Sequence, residues 1–282
     1  MANQNYDIVT LKDIAADIRR QVMIMACKAG GSHIAPAFSI VEILTALYFG
    51  GILQYDPHEP KMKDRDRFIL SKGHAGSALY AVLARAGFFD PKWLDSYCQS
   101  GTVLGGHPNM HEIPGVEAST GALGHGFPYA MGIALAGKMD RRDYRVFALL
   151  GDGECQEGSI WEAALFAAHQ RLGNFTAIID YNKLQAMDRI DKIVGLEPLT
   201  DKWRAFGWEV TETDGHDLKA LIETLSKDRE PDAPPALVIA HTVKGKGLSF
   251  MENVPIWHFR LPNPDEMMIV CRELGLDSSE LN

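Results

Sequence analysis

The sequence is poor in the residues that mark several common protein classes. Its 282 residues include only four cysteines, and no two of them form a Cys-x-x-Cys pair. No disulfide framework can be recognised from their spacing. The first residues also lack the charged-then-apolar plan of a secretory signal peptide. We therefore expect reduced thiols in a cytoplasmic protein.

Basic residues are outnumbered, with 28 Lys and Arg against 37 Asp and Glu, which gives a net charge of −9. This balance argues against a general binder of nucleic acid or of a membrane surface. It does not argue against a small anion held by a local site. The longest stretch without formal charge, residues 118–137, is interrupted by glycines, a proline and a histidine. It predicts a buried, tightly packed helix rather than a membrane span.

The sequence also lacks internal repeats and low-complexity segments. A hydrophobic fraction of 46% and a charged fraction of 23% are ordinary for a globular protein. A chain of this length forms one large domain or two at most. We predict a single domain over residues 1–282, with a C-terminal extension from about residue 243.

Helical periodicity dominates the first half of the chain. Apolar residues at helical spacing follow Thr10, which forms a plausible capping pair with Asp13, and the Gly30-Gly31 pair predicts the end of that helix. The pattern from Ser39 to Glu42 predicts a capping box that opens a helix to about Phe49. A short strand is predicted at 67–70, followed by a helix to about residue 85.

The second half alternates between apolar strands and helices. Strands are predicted at 144–150, 175–180, 208–211 and 236–240, with helices near 159–170, 198–206 and 217–227. This alternation is typical of a parallel sheet flanked by helices on both faces. We therefore predict an α/β fold.

A Gly-Asp-Gly sequence, Gly151 to Gly153, directly follows the predicted strand 144–150. Ligands of open parallel sheets bind outside the carboxyl ends of the strands. Glycine lets the backbone approach a ligand closely, and the next helix can offer its N-terminus to phosphate. Alone, the tripeptide is equally compatible with an ordinary strand-ending turn.

The next strand ends in Asp180-Tyr181-Asn182, which strengthens the prediction of a site. Consecutive parallel strands can lie side by side, so Asp152 and Asn182 are expected to meet at one edge of the sheet. A carboxylate and an amide oxygen are hard ligands, which suit Mg²⁺ or Ca²⁺ and not zinc.

Residues 151–188, GDGECQEGSIWEAALFAAHQRLGNFTAIIDYNKLQAMD, resemble the cofactor motif of the transketolases, which use thiamine diphosphate. Five further segments match that family in order. They are DRFILSKGHAGSALYAVL (66–83), GGHPN (105–109), STGALGHGFPYAMGIALA (119–136), TVKGKGLSFMEN (242–253) and WHFRLPN (257–263). The resemblance covers nearly the whole chain and implies the thiamine-diphosphate-binding fold of that family.

The resemblance also implies a set of cofactor and metal ligands. Mg²⁺, with Ca²⁺ or Mn²⁺ as possible substitutes, would be bound by Asp152, Asn182 and the backbone carbonyl of Leu184. The diphosphate would contact Gly153, Asn182, His74 and Lys244. The backbone of Gly121, Ala122 and Leu123 would line the thiamine site.

Three histidines would serve the chemistry in such an enzyme. By resemblance, His33, His107 and His258 would point at the reacting carbon of the cofactor and at substrate hydroxyls. A ketose loses a hydroxyl proton as its C2–C3 bond breaks, and imidazole titrates near neutral pH. Glu157 and Glu162 match acidic residues that lie between the two cofactors of a dimer.

Three positions depart from the family pattern. Pro36 stands where many relatives have a small hydroxyl residue, and His125 replaces a common glutamine, where it would pack at a helix start. Phe259 follows His258 where glycine is common, which predicts a narrowed or reshaped sugar entrance.

Family enzymes also need a second domain, which binds the aminopyrimidine ring and supplies an activating glutamate. No such domain is recognisable after Asn182. The resemblance thus implies a subunit of a split transketolase. It would pair with a C-terminal subunit that carries the pyrimidine-binding and C-terminal domains, in an α₂β₂ assembly. The candidate interfaces are the surfaces near 118–137 and 157–170.

The reaction implied is the transfer of a two-carbon ketol group from a ketose to an aldose, both as sugars or sugar phosphates. The specific sugars are left open. Two alternatives in the same cofactor class are a deoxyxylulose-phosphate-synthase-like enzyme, which decarboxylates pyruvate, and the α subunit of an E1-type dehydrogenase. A third is a non-catalytic scaffold that binds the cofactor only to assemble a partner.

Overall fold

The computed structural model describes residues 6–281, and this range contains one sheet of five parallel strands. The strands are β1 (Arg67–Leu70), β2 (Val146–Gly151), β3 (Phe175–Tyr181), β4 (Glu209–Asp214) and β5 (Ala236–His241). Their order across the sheet is β1-β2-β3-β5-β4. The register pairs Gly151 with Asp180, which brings the ends of β2 and β3 side by side.

Helices pack on both faces of this sheet, as the α/β prediction requires. Over residues 6–281 they are α1 (Ile8–Ala29), α2 (Ile34–Phe38), α3 (Val41–Phe49), α4 (Gly76–Arg85), α5 (Gly126–Met139), α6 (Gly158–His169), α7 (Ile190–Ile193), α8 (Leu199–Ala205), α9 (Leu218–Leu225) and α10 (Pro264–Leu274). Short 3₁₀ segments occur at Gly73–Ala75, Pro91–Ser96, Gly153–Gln156, Pro255–Phe259 and Ser278–Leu281.

Two hydrophobic cores form because alternate strand residues point to opposite faces. On β2, Phe147 and Leu149 belong to the core shared with α1, α3, α4 and α9. Ala148 and Leu150 belong to the other core, shared with α5, α6 and α8. Burial on both faces explains why the strands appear in the sequence as continuous apolar runs.

Two predicted helix caps are wrong. The α1 helix begins at Ile8, and the Asp7 side chain, not Thr10, caps it by accepting a hydrogen bond from the Thr10 N–H. Ser39 does not cap α3, which begins at Val41. Its hydroxyl instead donates to the Asp180 carboxylate, and the Glu42 carboxylate pairs with Arg19. Tertiary partners thus replace the local capping bonds that the pattern predicts.

The uncharged stretch near 127–137 forms α5, but only one face of this helix is buried. Phe127, Ala130 and Ala134 lie in the core, whereas the side chain of Tyr129 is largely exposed. The predicted buried helix is therefore present, but in the chain taken alone it is buried on one face only. Among the residues that the structure describes, no helix has both the length and the apolar character needed to cross a membrane.

Candidate active site

A cavity of about 430 Å³ opens at the carboxyl ends of β2 and β3. Its wall brings together nearly all of the predicted site residues: His33, His74, His107, Gly121, Leu123, Asp152, Gly153, Asn182, Leu184, Lys244 and His258. Ala122 does not line it, although it belongs to the same loop. The sequence prediction that distant segments meet at this edge of the sheet is consistent with this placement.

Asp152 and Asn182 project from the ends of neighbouring strands. The Asp152 carboxylate accepts hydrogen bonds from the N–H groups of Gly153 (2.7 Å) and Lys183 (2.5 Å). The Asn182 amide donates to Asp180 at 3.0 Å, and its oxygen accepts from the Leu184 N–H at 3.0 Å. Burial, together with the neighbouring Asp180 carboxylate, raises the pKa of Asp152 to about 7. A bound cation would stabilise the charged form of this buried carboxylate and so offset the effect of burial.

The turn after β3 carries the Leu184 carbonyl, the third predicted metal ligand. Lys183 adopts a left-handed conformation at φ 64°, which turns the chain sharply before Leu184. The Lys244 ammonium lies 3.4 Å from the Leu184 oxygen and 2.9 Å from that of Gln185. Burial and the nearby Lys72 lower the pKa of Lys244 to about 8. A metal ion bound to the Leu184 carbonyl oxygen would therefore compete with the Lys244 ammonium for that oxygen.

Lys72 and Asp180 form a buried ion pair beneath this site that the sequence reasoning missed. The Lys72 ammonium contacts the Asp180 carboxylate directly, and it also donates to the Pro36 carbonyl. Asp180 accepts further hydrogen bonds from the hydroxyls of Ser39 and Thr242. Burial alone would raise the pKa of Asp180. The Lys72 ammonium and these donors have a larger opposite effect, so the pKa of Asp180 lies below its ordinary value. The only signal for this pair in the sequence is that each residue lies close to the end of an apolar strand, Lys72 shortly after β1 and Asp180 near the end of β3.

Glu154 is a second residue that the sequence reasoning missed. It is buried, and its carboxylate accepts from the Ser71 hydroxyl and from the N–H groups of Gly124 and Gly151. These contacts fasten the 121–124 loop to the end of β2. Burial raises the pKa of Glu154. Of the two predicted dimer-facing glutamates, Glu157 lines the cavity, and Glu162 is exposed on α6 without lining it.

Four histidines cluster on one side of the cavity. The ring centroid of His33 lies 5.3 Å from those of His74 and His258 and 6.2 Å from that of His107. Burial and neighbouring cationic side chains lower the pKa of His33 to about 4 and that of His258 to about 3. The same causes hold the pKa of His74 well below its usual value. These three rings are therefore neutral at pH 7.

Of the three departures from the family pattern, only Pro36 lines the cavity. It offers only its backbone carbonyl to Lys72. His125 stands exposed at the start of α5, with its ring nitrogen near the Leu123 carbonyl. Phe259 is 61% exposed and packs edge-on against His33, with ring centroids 4.8 Å apart.

The cavity fits a diphosphate held with a hard cation. It offers two buried ammonium groups, from Lys72 and Lys244, in a chain whose net charge is −9. An added Cβ at Gly153 would stand 3.0 Å from the Gln185 side chain, which also lines the cavity, so glycine leaves room in this part of the wall. Within residues 6–281, no group of three or more His, Cys, Asp or Glu side chains is placed to hold a metal. The predicted set, one carboxylate with an amide and a carbonyl oxygen, instead suits Mg²⁺, which binds few protein ligands and completes its shell with phosphate and water.

The sequence was compared with models of protein families and with known proteins. A family model described as "Transketolase, thiamine diphosphate binding domain" matches residues 10–281. The chain is 44% identical to an apulose-4-phosphate transketolase subunit of Actinobacillus succinogenes, covering 96% of this chain and 98% of that protein. It is 42% identical to 6-deoxy-6-sulfo-D-fructose transketolase subunit SqwG of a Clostridium species, covering 89% and 90%.

A comparison of the folds agrees. The transketolase of Campylobacter jejuni superposes with a TM-score of 0.88 at 29% sequence identity. The match covers 96% of this chain but only 44% of the Campylobacter chain. This chain therefore spans less than half of that solved transketolase.

Proposed function

The chain belongs to the transketolase family, and we propose that it is the diphosphate-binding subunit of a split transketolase. The proposal is carried by one observation: hard oxygen ligands, buried ammonium groups and a cluster of four histidines all line the same cavity. We further propose that residues 1–282 act as one cofactor-binding domain in the cytoplasm, a compartment consistent with four cysteines that form no disulfide.

In this proposal Asp152, Asn182 and the Leu184 carbonyl hold Mg²⁺, with Ca²⁺ or Mn²⁺ as possible substitutes. Gly153, Asn182, His74 and Lys244 hold the diphosphate, and Lys72 supplies a second buried positive charge. The backbone of Gly121, Ala122 and Leu123 flanks the thiamine. When bound, thiamine diphosphate supplies the nucleophilic carbon needed to cleave a ketose.

His33, His107 and His258 act on the substrate. Because the lowered pKa values keep His33 and His258 neutral at pH 7, each ring has one N–H that can donate a hydrogen bond to a sugar oxygen, and the unprotonated nitrogen of His33 can accept one from a sugar hydroxyl. The 2.9 Å contact between the Lys244 ammonium and the His258 Nδ1 makes that nitrogen the acceptor. The Nε2 atom of His258 then carries the proton in the neutral ring, so this nitrogen is the one able to donate to a substrate oxygen.

The overall reaction in this proposal is the transfer of a two-carbon ketol unit from a ketose or ketose phosphate to an aldose or aldose phosphate. The histidine cluster supports this reaction over that of an E1-type dehydrogenase, because the keto acid substrate of such an enzyme brings no sugar hydroxyl groups for the imidazoles to bind. It likewise speaks against a scaffold that only binds the cofactor.

A partner subunit completes the site in this proposal. It would carry the pyrimidine-binding and C-terminal domains in an α₂β₂ assembly, and both relatives compared above are named as subunits of transketolases. The surfaces near 118–137 and 157–170 expose large apolar side chains on this chain alone, among them Leu123, Tyr129, Leu165 and Phe166. Exposed apolar side chains grouped on adjacent helices are typical of a protein interface.

Reconstitution tests the proposal. The chain is purified alone and together with the subunit encoded beside it, and ketol transfer from xylulose 5-phosphate and other ketoses is measured with thiamine diphosphate and Mg²⁺. We expect transfer only by the mixture, and loss of turnover when His107→Ala replaces the wild-type chain. Robust transfer by the chain alone would refute the split-subunit proposal, and release of carbon dioxide from pyruvate would replace ketol transfer with decarboxylation.

A further inference from the structure

A second cavity lies at the opposite edge of the sheet, where the strands begin. Its volume is about 460 Å³, within the range of small-molecule sites. Its walls come from the segments that precede β2, β3 and β5, together with the end of α9. We call it the amino-end cleft. No part of the proposed transketolase chemistry uses it.

The amino-end cleft is strongly basic. Six of its lining residues are cationic: Lys138, Arg141, Arg142, Arg145, Lys227 and Arg229. Only Asp143 and Asp232 among the lining residues are acidic. Such a concentration of positive charge is unexpected on a chain of net charge −9. A concave surface lined by one sign of charge focuses the electrostatic field and attracts the opposite ion.

Four of these cations are already paired, and two are not. Ion pairs join Lys138 to Asp232, Arg142 to Asp64, Arg145 to Asp66 and Arg229 to Glu209. In the described part of the chain, the charged groups of Arg141 and Lys227 have neither a hydrogen-bond nor an ion-pair partner. Both residues are exposed, so their charges are available to a ligand.

The wall of the cleft is also incomplete in its hydrogen bonding. The Oδ1 atom of Asn174 and the Nε atom of Arg229 are buried without a partner in the described structure. Buried polar atoms in native proteins are nearly always bonded to protein or to ordered water. The unsatisfied Nε–H of Arg229 is a donor that a phosphate oxygen or an ordered water can complete.

We propose that the amino-end cleft binds a small molecule that carries two or more phosphate groups. Guanidinium groups match the geometry of phosphate oxygens, and two unpaired cations supply charge for more than one phosphate. A small molecule fits this cleft better than a nucleic-acid strand does, because the negative charge of the rest of the chain repels a long polyanion. This site is distinct from the candidate active site, and its existence does not depend on the proposed function.

Isothermal titration calorimetry with ATP tests the proposal on the full-length chain. Mg²⁺ is omitted and the Lys244→Gln variant is included, because Lys244 is the cation proposed to hold a diphosphate in the candidate active site. We expect ATP to bind wild type and Lys244→Gln with the same affinity, and adenosine, which lacks phosphate, to give no heat. Equal binding of adenosine, or loss of ATP binding in Lys244→Gln, would overturn the assignment.

A pair of matched double variants locates the site. Arg141 has a left-handed backbone at φ 53°, a conformation that asparagine tolerates, so Arg141→Asn combined with Lys227→Gln removes two charges with little strain. This double variant should weaken ATP binding at least about tenfold, as the loss of charge-assisted hydrogen bonds predicts. The control, Lys12→Gln with Lys92→Gln, removes two exposed charges that do not line the cleft and should leave the affinity unchanged. Similar weakening in both double variants, or in neither, would contradict the proposal.

Discussion

Lys72 and Asp180 form a fully buried ion pair whose position holds the candidate metal site together. Asp180 also accepts a hydrogen bond from the side-chain amide nitrogen of Asn182. This bond orients the amide so that its nitrogen faces Asp180 and its oxygen faces away from the ion pair. Asp180 also binds Ser39 and Thr242, so one carboxylate connects the end of α2, the end of β3 and the segment after β5. Positioning of the proposed ligands therefore depends on a charge that touches no substrate.

Removing one member of this pair should be strongly destabilising. Lys72→Met leaves the Asp180 carboxylate buried without its cation, which typically costs about 3–5 kcal/mol of unfolding free energy. Urea denaturation measures this loss, and the double variant Lys72→Met with Asp180→Asn should recover part of it. Arg85→Met, which breaks a largely exposed pair with Asp17, serves as the control and should cost less than about 1 kcal/mol. A Lys72→Met variant as stable as this control would contradict the argument.

Cofactor binding should require the Asp152 carboxylate and a divalent cation. Thiamine diphosphate with Mg²⁺ should raise the melting temperature of the wild-type chain, because a ligand at about 100 times its Kd stabilises a protein by about 2.7 kcal/mol. Asp152→Asn, or addition of EDTA, should abolish that increase. Asp191→Asn changes an exposed carboxylate outside the cavity and should keep the increase. An undiminished shift in Asp152→Asn would remove that residue from the ligand set.

The histidine cluster should make the chain unstable in mild acid. Because the pKa values of His33 and His258 are lowered to about 4 and about 3, these two sites bind more protons in the unfolded chain than in the folded chain below pH 6.5. Their contribution to stability should therefore fall as the pH falls from about 6.5 to about 4, by up to about 1.4 kcal/mol per pH unit for each histidine.

Denaturation of His33→Asn and His258→Asn across the same pH range checks this explanation. Each variant should show a shallower fall in stability than wild type, because it has lost one of the suppressed protonation sites. His111→Asn alters an exposed histidine outside the cavity and should follow the wild-type curve. Identical curves for all three variants would assign the acid sensitivity to other groups.

Gly121 cannot be replaced without moving His107. Its backbone lies at φ 147°, and an added Cβ would stand 2.8 Å from the His107 ring. Gly121→Ala in the reconstituted enzyme should therefore lower kcat by at least about tenfold, since small displacements of catalytic groups are costly. Gly195→Ala meets no atom within 4 Å and should keep the wild-type rate. Wild-type turnover in Gly121→Ala would show that the position of the His107 ring does not matter to the rate.

Phe259 should influence which sugars enter the site. Its exposed ring packs against His33, which lines the cavity, so Phe259→Gly opens the space above that histidine. We expect kcat/KM for fructose 6-phosphate, the longer donor, to rise about tenfold relative to that for xylulose 5-phosphate, an effect in the range of one methylene in a pocket. Phe259→Tyr keeps the ring and should keep the wild-type ratio. An unchanged ratio in Phe259→Gly would exclude a role in selectivity.

The strands and the site edge could be predicted from the sequence because each depends on a local pattern. Continuous apolar runs located every strand to within three residues at each end, and the polar residues after β2 and β3 indicated the site. The roles of Lys72, Asp180 and Glu154 could not be predicted in this way, because their partners are far away in the sequence. Partners that are distant in the sequence also explain why the predicted capping box of α3 is absent, because Glu42 binds Arg19 and His216 rather than the start of the helix.

The cavity at the carboxyl edge of the sheet takes its lining from both ends of the chain, from His33 to His258. During synthesis on a ribosome, the first half of this lining therefore emerges long before the last. A nascent chain that has not yet released His258 and Lys244 has no complete pocket, even if β1, β2 and β3 have already paired. A complete pocket for the proposed cofactor therefore forms only after His258 and Lys244 have emerged and packed against the earlier segments.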